Sequence, residues 1–399
     1  MRFLEEALEE KEYVIACRRH IHENPELSDR EDETVRFILE ELKKNGISCE
    51  EVPGGGVMGY IDGAREGKSL ILRANIDALP IQESPTNDRY PKSCVSRVDG
   101  VSHACGHDAH TAMLLASAKI LNRHRQDFAG RILLYFERGE ESGHGDQCMT
   151  AFIAERNIHA DGAWGLHVAG LPSGVFGLHE NGICAGGIGW RFAVERNEKA
   201  LCSPIECVTM AIRRLQSLRM RGVSPFEEIT LTPAKLIGDE DSCRIIGTCR
   251  ILDRENVGIP LREKMYSVLS ETAASCGYDN PVIVVGKPGY PVVNNPTCCK
   301  IAGKAIVDIF GAEKVVDINP TMGCESFNVL SSRYPSVFLR LGISDVEKGM
   351  TAPQHNPCFD ICEDALPNGV AATVAYAFAF FAYDKKIPFQ PLIRTRKGE

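Results

Sequence analysis

The sequence has no long apolar run. Its longest, 370–383, is too short and too rich in alanine to span a bilayer, so it is expected as a buried helix. It also lacks any Lys/Arg-rich segment, and the net charge of −9 argues against nucleic acid as a partner. There are sixteen cysteines, yet they show no framework spacing. The first residues, Met1-Arg-Phe-Leu-Glu-Glu, are acidic and lack the apolar core of a secretory signal. These absences predict a cytoplasmic protein with reduced thiols and no membrane partner. Low-complexity linkers and internal repeats are missing too. One absence is regional: no histidine occurs between His179 and His355.

What is present is ordinary in bulk. The 399 residues suffice for two domains with buried cores, and the 44% hydrophobic and 25% charged content is that of a soluble globular chain. Val35, Ile38, Leu39 and Leu42 recur at helical spacing, with Gly46 where a helix would stop. Segments 69–74, 131–136 and 164–168 look like buried strands, and 109–121 like an Ala-rich helix. Continuous apolar strands alternating with helices predict an α/β sheet covered on both faces.

The middle of the chain has a different rhythm. A strand at 190–195 is followed by Ser203-Pro204-Ile205-Glu206, which carries the N-cap, first-turn proline and capping-box glutamate of a helix start. Ile205, Val208, Ile212 and Leu215 would form that helix's apolar face. Strands at 229–236 and 243–251, a helix at 261–275 ended by Gly277, and a strand at 282–285 follow. The order β-α-β-β-α-β is the ferredoxin-like split unit. It predicts a domain at 187–289 inserted between the two parts, 1–186 and 290–399, of a larger one.

His103-Ala-Cys-Gly-His-Asp-Ala-His110 places Cys105 and His107 two residues apart just before a helix. A thiolate beside an imidazole suits zinc, manganese, cobalt or nickel and does not suit magnesium or calcium. The segment cannot close a site alone. Glu140-Glu141, His167 and His355 are the further candidates. Glu140-Glu141 and His167 lie near the carboxyl ends of predicted parallel strands, the edge where open α/β sheets bind ligands. Taken singly, each has a plain alternative: a core histidine, a solvated acidic pair, a small buried cysteine. His103 and His110 are expected to make hydrogen bonds that shape the loop and helix start.

The joint arrangement carries a resemblance. Arg18-Arg-His-Ile-His-Glu-Asn-Pro-Glu-Leu-Ser28, Arg73-Ala-Asn-Ile-Asp-Ala-Leu-Pro80 and His103–His110 occur in order with Glu140-Glu141, Gly165-Leu166-His167, Gly323-Cys324-Glu325-Ser326-Phe327 and His355-Asn356-Pro357. The chain resembles the M20 family of metal-dependent amidohydrolases, in the branch of N-acyl-amino-acid hydrolases (aminoacylase, hippurate hydrolase and auxin-conjugate hydrolase types). The resemblance implies a catalytic α/β/α sandwich, a mixed sheet covered by helices, with an inserted ferredoxin-like α+β lid and dimerisation domain. It implies two divalent transition-metal ions held by Cys105 as the bridge, His107, Glu141, His167 and His355. Glu140 would be the general base toward the attacking water, and Asp77 would orient a ligand. The reaction would be hydrolysis of an amide in an N-acyl amino acid or small peptide-like molecule, by a homodimer joined through the lid.

Three departures from that pattern stand out. The family's lid carries a Gly-Gly-His-Ala segment whose histidine stabilises the oxyanion across the dimer; here 196–204 is shortened and has none. Its Asn-Val-Ile-Pro segment is replaced by the acidic Gly238-Asp-Glu-Asp-Ser242. Asn75 stands where the branch has aspartate. Loss of one oxyanion donor typically costs about 2.7–4 kcal/mol in the transition state. Arg196, Asn197 and Lys199 are the replacement candidates, and Glu325 is a further substrate contact. The expectation is a working hydrolase of altered specificity. The alternatives are a metal-binding dimer with weak or lost catalysis, or a biosynthetic deacetylase or dipeptidase of the same fold.

Overall fold

The computed structural model describes residues 2–142, 145–224 and 226–392. Backbone contacts divide the chain into two compact units. The first contains the chain up to Asn181, Asn294–Ile318, and the chain from Val329 onward; the second contains Gly182–Val293 and Asn319–Asn328.

The first unit is built on an eight-stranded mixed sheet. Its spatial order is Ser48–Val52, Gly56–Asp62, Arg131–Glu137, Ser69–Asn75, Gly162–Pro172, Ser336–Ser344, Phe176–Leu178 and Val315–Asp317. The four central strands, from Arg131–Glu137 to Ser336–Ser344, run parallel. Their apolar residues form one core with the helices, as expected for strands covered on both faces. The helix His107–Arg123 buries fourteen of its seventeen residues, which explains its alanine content: small side chains let it lie deep among its neighbours. The apolar run near the C-terminus is the helix Leu366–Ala382, packed into the same core. Tyr376 from that helix stacks on Trp164 at 4.5 Å, and Trp164 Nε1 donates to Thr373 Oγ1 at 3.1 Å. A buried Arg73–Glu137 pair at 2.8 Å ties two neighbouring strands.

Two differences from the sequence reading affect the site. The third predicted strand is longer, Gly162–Pro172, because its exposed tail keeps pairing beyond the apolar stretch. His167 is therefore inside a strand rather than at its end. The helices Arg2–Glu9, Lys11–Glu23 and Pro296–Phe310 carry no strong sequence signal and owe their stability to packing on the core.

The second unit is a four-stranded antiparallel sheet in the order Val282–Val285, Gly186–Glu195, Ser242–Ile251, Ile229–Gly238. Helices Pro204–Arg221 and Ile259–Ser275 bury their apolar faces against it. The predicted capping box forms: Ser203 Oγ accepts from the Glu206 N–H, and Glu206 accepts from the Ser203 N–H. One face residue differs. Ile205 is exposed, and Cys207 takes the inward position with Val208, Ala211 and Leu215. Gly247 is required here, since a Cβ would lie 2.2 Å from the Trp190 indole.

Candidate metal centre

Every residue expected to hold metal lies in the first unit. Gly106 caps the helix His107–Arg123 with φ at 90°, and a Cβ there would approach Val168 Cγ2 to 2.4 Å. Glycine thus permits both the left-handed turn and the close approach of the 103–107 loop to the strand carrying His167. The loop and strand bring Cys105, His107 and His167 together, with Cys105 Sγ 3.6 Å from His167 Nε2. Glu140 and Glu141 follow the strand Arg131–Glu137 and join His107. His355 arrives from a distant loop to join Cys105 and Glu141, its Nε2 3.3 Å from Glu141 Oε1. Within each of these three groups the donor atoms lie within 4.8 Å of one another. Cys105 belongs to two of them.

Asp77 organises this cluster. Its Oδ1 accepts from His107 Nδ1 at 2.9 Å, which turns Nε2 toward Glu140 and Glu141, each 3.9 Å away. Its Oδ2 accepts from the Glu141 N–H at 2.9 Å and from Ser28 at 2.7 Å. Burial alone would raise this carboxyl, but the His107 contact, Ser28 and the Glu141 N–H hold it down to about 2. His107 is pulled the other way. Burial opposes its charge, yet Cys105 and Asp77 lift it well above the ordinary range. His167 is driven far down by burial, so it is neutral and suited to ligation. Its Nδ1 donates to Val168 O at 2.7 Å, leaving Nε2 directed at Cys105.

Asn75 shows what the departure from aspartate does. His110 Nε2 accepts from the Val168 N–H at 2.9 Å, so His110 Nδ1 carries the proton and donates to Asn75 Oδ1 at 2.7 Å. That fixes the amide and sets Asn75 Nδ2 3.0 Å from His107 Nε2, to which it donates in the neutral ring that ligation requires. The nitrogen facing the donor cluster thus already has a hydrogen-bond partner. His110 makes the shaping contacts expected of it. His103 does not: it is buried with no hydrogen bond to either ring nitrogen among the described residues, and burial lowers it to about 4.

Sequence reasoning missed Gln354. Its Nε2 donates to Cys105 O at 3.2 Å and Val168 O at 3.1 Å, fastening the segments of Cys105 and His167 to the loop of His355. His355 itself has φ at 63°, an uncommon conformation for a residue with a Cβ and one that concentrates at functional sites. The other expected contacts lie in the second unit. Arg196 Nε donates to Glu240 O at 2.9 Å, Asn197 Oδ1 accepts from the Lys199 N–H at 2.8 Å, and Lys199 pairs with Asp279 at 2.6 Å. Glu325 is buried and accepts from the Phe327 N–H at 3.1 Å.

Comparison with known proteins agrees with this geometry. Residues 71–379 match the family model for peptidase family M20/M25/M40. The chain is 33% identical to IAA-amino acid hydrolase ILR1-like 2 of Arabidopsis thaliana, covering 92% of this chain and 85% of that protein. It is 31% identical to thermostable carboxypeptidase 2 of Saccharolobus solfataricus, covering 93% and 96%. The crystal structure of Bacillus subtilis YXEP protein, described as a dinuclear metal binding peptidase from the M20 family, superposes with a TM-score of 0.77 at 27% identity, covering 93% of this chain and 99% of that one.

Proposed function

The chain belongs to peptidase family M20/M25/M40, and its relatives include an IAA-amino acid hydrolase, a carboxypeptidase and a dinuclear metal binding peptidase; from this we propose that it hydrolyses an N-acyl amino acid or small peptide-like amide, with Glu140 as the general base. The observation that carries the reading is the position of Glu140. Its Oε2 is 3.9 Å from His107 Nε2, adjacent in sequence to a carboxylate of the donor cluster, with a side chain only 10% exposed.

The donor set fits divalent transition metals: one thiolate, imidazoles and a carboxylate, with Cys105, His107 and Glu141 each common to two donor groups. Cys105, His107, Glu141, His167 and His355 would hold two such ions, zinc, manganese, cobalt or nickel. When bound, they supply Lewis acidity toward the scissile carbonyl and acidify the attacking water. The remaining work falls to the protein. Asp77 keeps the His107 ring oriented and anchors the Glu141 backbone. Glu140 accepts the water proton and delivers it to the leaving amine. Arg196, Asn197, Lys199 and Glu325 are assigned to substrate recognition, with Arg196, Asn197 or Lys199 taking the place of the histidine that this lid lacks.

The test is release of free amine from a panel of N-acyl amino acids after loading with each of the four metals. Turnover in the loaded protein supports the reading; none on any substrate, with metal content verified, overturns it. Glu140→Gln should cut kcat by about 10²–10⁴ while metal content is unchanged.

Dimerisation through the second unit is part of the same proposal. Leu236, Ile237, Ile246, Val282 and Val284 expose apolar surface on its sheet, two of them on each edge strand. Sedimentation at micromolar concentration should give a dimer, and a monomer throughout would refute it.

A further inference from the structure

The second unit holds a thiol cluster that metal-dependent hydrolysis does not use. Cys202 directly precedes the N-cap Ser203, and Cys207 lies one turn into the helix Pro204–Arg221. These are the positions of a hydrophobic staple, whose side chains meet over the first turn. Cys276 is the C-cap residue of the helix Ile259–Ser275. Its thiol adjoins those of Cys202 and Cys207, near enough for each to oppose the other's ionisation. The backbones are joined at the same point: the Leu201 N–H donates to Cys276 O at 2.9 Å, and Tyr278 Oη donates to Cys202 O at 2.7 Å. Cys276 and Cys207 are buried, and Cys202 is partly exposed at the edge of the cluster.

We propose that Cys202, Cys207 and Cys276 form a thiol–disulfide exchange centre that reacts with low-molecular-weight disulfides and closes a bond from Cys276 to Cys202 or Cys207. The steps balance. The Cys202 thiolate attacks a disulfide RSSR, forming a mixed disulfide and releasing one RS⁻, which takes up the proton lost by Cys202. The Cys276 thiolate then attacks the Cys202 sulfur and expels the second RS⁻, which takes up the Cys276 proton. Two protein thiols are oxidised by two electrons, and RSSR is reduced to two RSH. Cys207 can attack Cys276 in turn and return Cys202 to the thiol, so the third thiol moves the bond inward.

The cluster sits under the segment that replaces the lid's histidine loop. Lys199 pairs with Asp279 at 2.6 Å, and a Cβ on Gly277 would lie 2.0 Å from Lys199 O. A Cys202–Cys276 bond would therefore fix the segment of Arg196, Asn197 and Lys199 to the 276–279 turn. Burial and the neighbouring thiol push Cys202 up to about 11. Its first step is slow at neutral pH, and the exposed Cys148 and Cys324 serve as internal comparators.

The experiment uses the full-length, metal-loaded protein and glutathione disulfide. After acid quenching and alkylation, the protein is digested with trypsin and a glutamyl endopeptidase, which cuts after Glu206 and so separates Cys202 from Cys207. The expected product is a cross-linked peptide joining Cys276 to Cys202 or Cys207. Cys202→Ser should abolish the link, because the two remaining thiols are buried, and Cys276→Ser should leave a persistent glutathione adduct on Cys202. Two wild-type outcomes would overturn the proposal without recourse to the variants. One is a lasting adduct on Cys202 with Cys276 alkylated. The other is a Cys202 that stays unreacted on prolonged incubation at raised pH, long after Cys148 and Cys324 are fully modified.

Discussion

Asp77 touches two metal-site residues through its two oxygens, so removing its charge should loosen both. Asp77→Asn is expected to weaken metal binding about 10–100-fold, measured by chelator competition, with the fold retained. Asn75 acts in the opposite sense. Its amide donates toward His107 Nε2, a bond that must be given up when that nitrogen binds metal. Asn75→Asp, which removes this competing donor, should tighten binding by the equivalent of one hydrogen bond, about 0.5–1.5 kcal/mol. Gln354→Leu should weaken binding about tenfold and shift the visible spectrum of the cobalt-loaded protein, because the Cys105 and His167 segments lose a common tether. Cys105 and His107 were legible because the motif that carries them is local. Gln354 was not: a neutral amide has no metal-ligand signature, and its contact with Cys105 spans 249 positions.

At the scale of elements, the left-handed cap at Gly106 couples a helix start to a strand. Gly106→Ala is expected to lower both thermal stability and metal content, since the new Cβ meets Val168 in a conformation that alanine disfavours. Restored metal content without restored stability would separate the two effects. Ser203→Ala tests a purely structural element, and loss of the cap should cost about 1 kcal/mol in chemical unfolding. Elements with clear periodicity or caps were readable: the helix Asp32–Lys44, three of the four central strands (Ser336–Ser344 was missed) and the β-α-β-β-α-β order. The strand Gly162–Pro172 was read short because its last four residues pair without being fully buried, and apolar pattern reports burial rather than pairing. Ile205 misled for a related reason. Helical spacing marks a stripe, but its edge depends on how the helix rolls on the sheet.

Across the whole molecule, one buried charge network gives a defined pH response. His22 bridges Asp108 at 2.8 Å and Glu83 at 3.0 Å, Arg18 pairs with Asp108 at 2.7 Å, and Lys92 pairs with Glu83 at 2.8 Å. Burial alone would raise Glu83, but His22, Lys92 and the Ser96 N–H hold it down to about 2. Its stabilisation is therefore present above its ordinary value of 4.5 and lost as pH falls toward 2. His22 is held up despite burial and Arg18, by Asp108 and Glu83. Its stabilisation is present below 6.5 and lost as pH rises through its raised value. The network should contribute most between those two limits. Glu83→Gln should cost about 3–5 kcal/mol there, seen by urea unfolding, and should flatten the acid limb. The order of the donors along the chain has a further consequence, in time rather than in space. Cys105, His107, Glu141 and His167 are all made before the second unit, and His355 only after it. A ribosome needs on the order of 10–50 s to travel from Cys105 to Gln354. During that interval the emerging chain offers a thiol and two imidazoles with an open side. On the proposed ligand set, uptake of the full metal complement would be a late event of biosynthesis, and a nascent chain stalled before His355 should retain its metal less tightly than the finished protein.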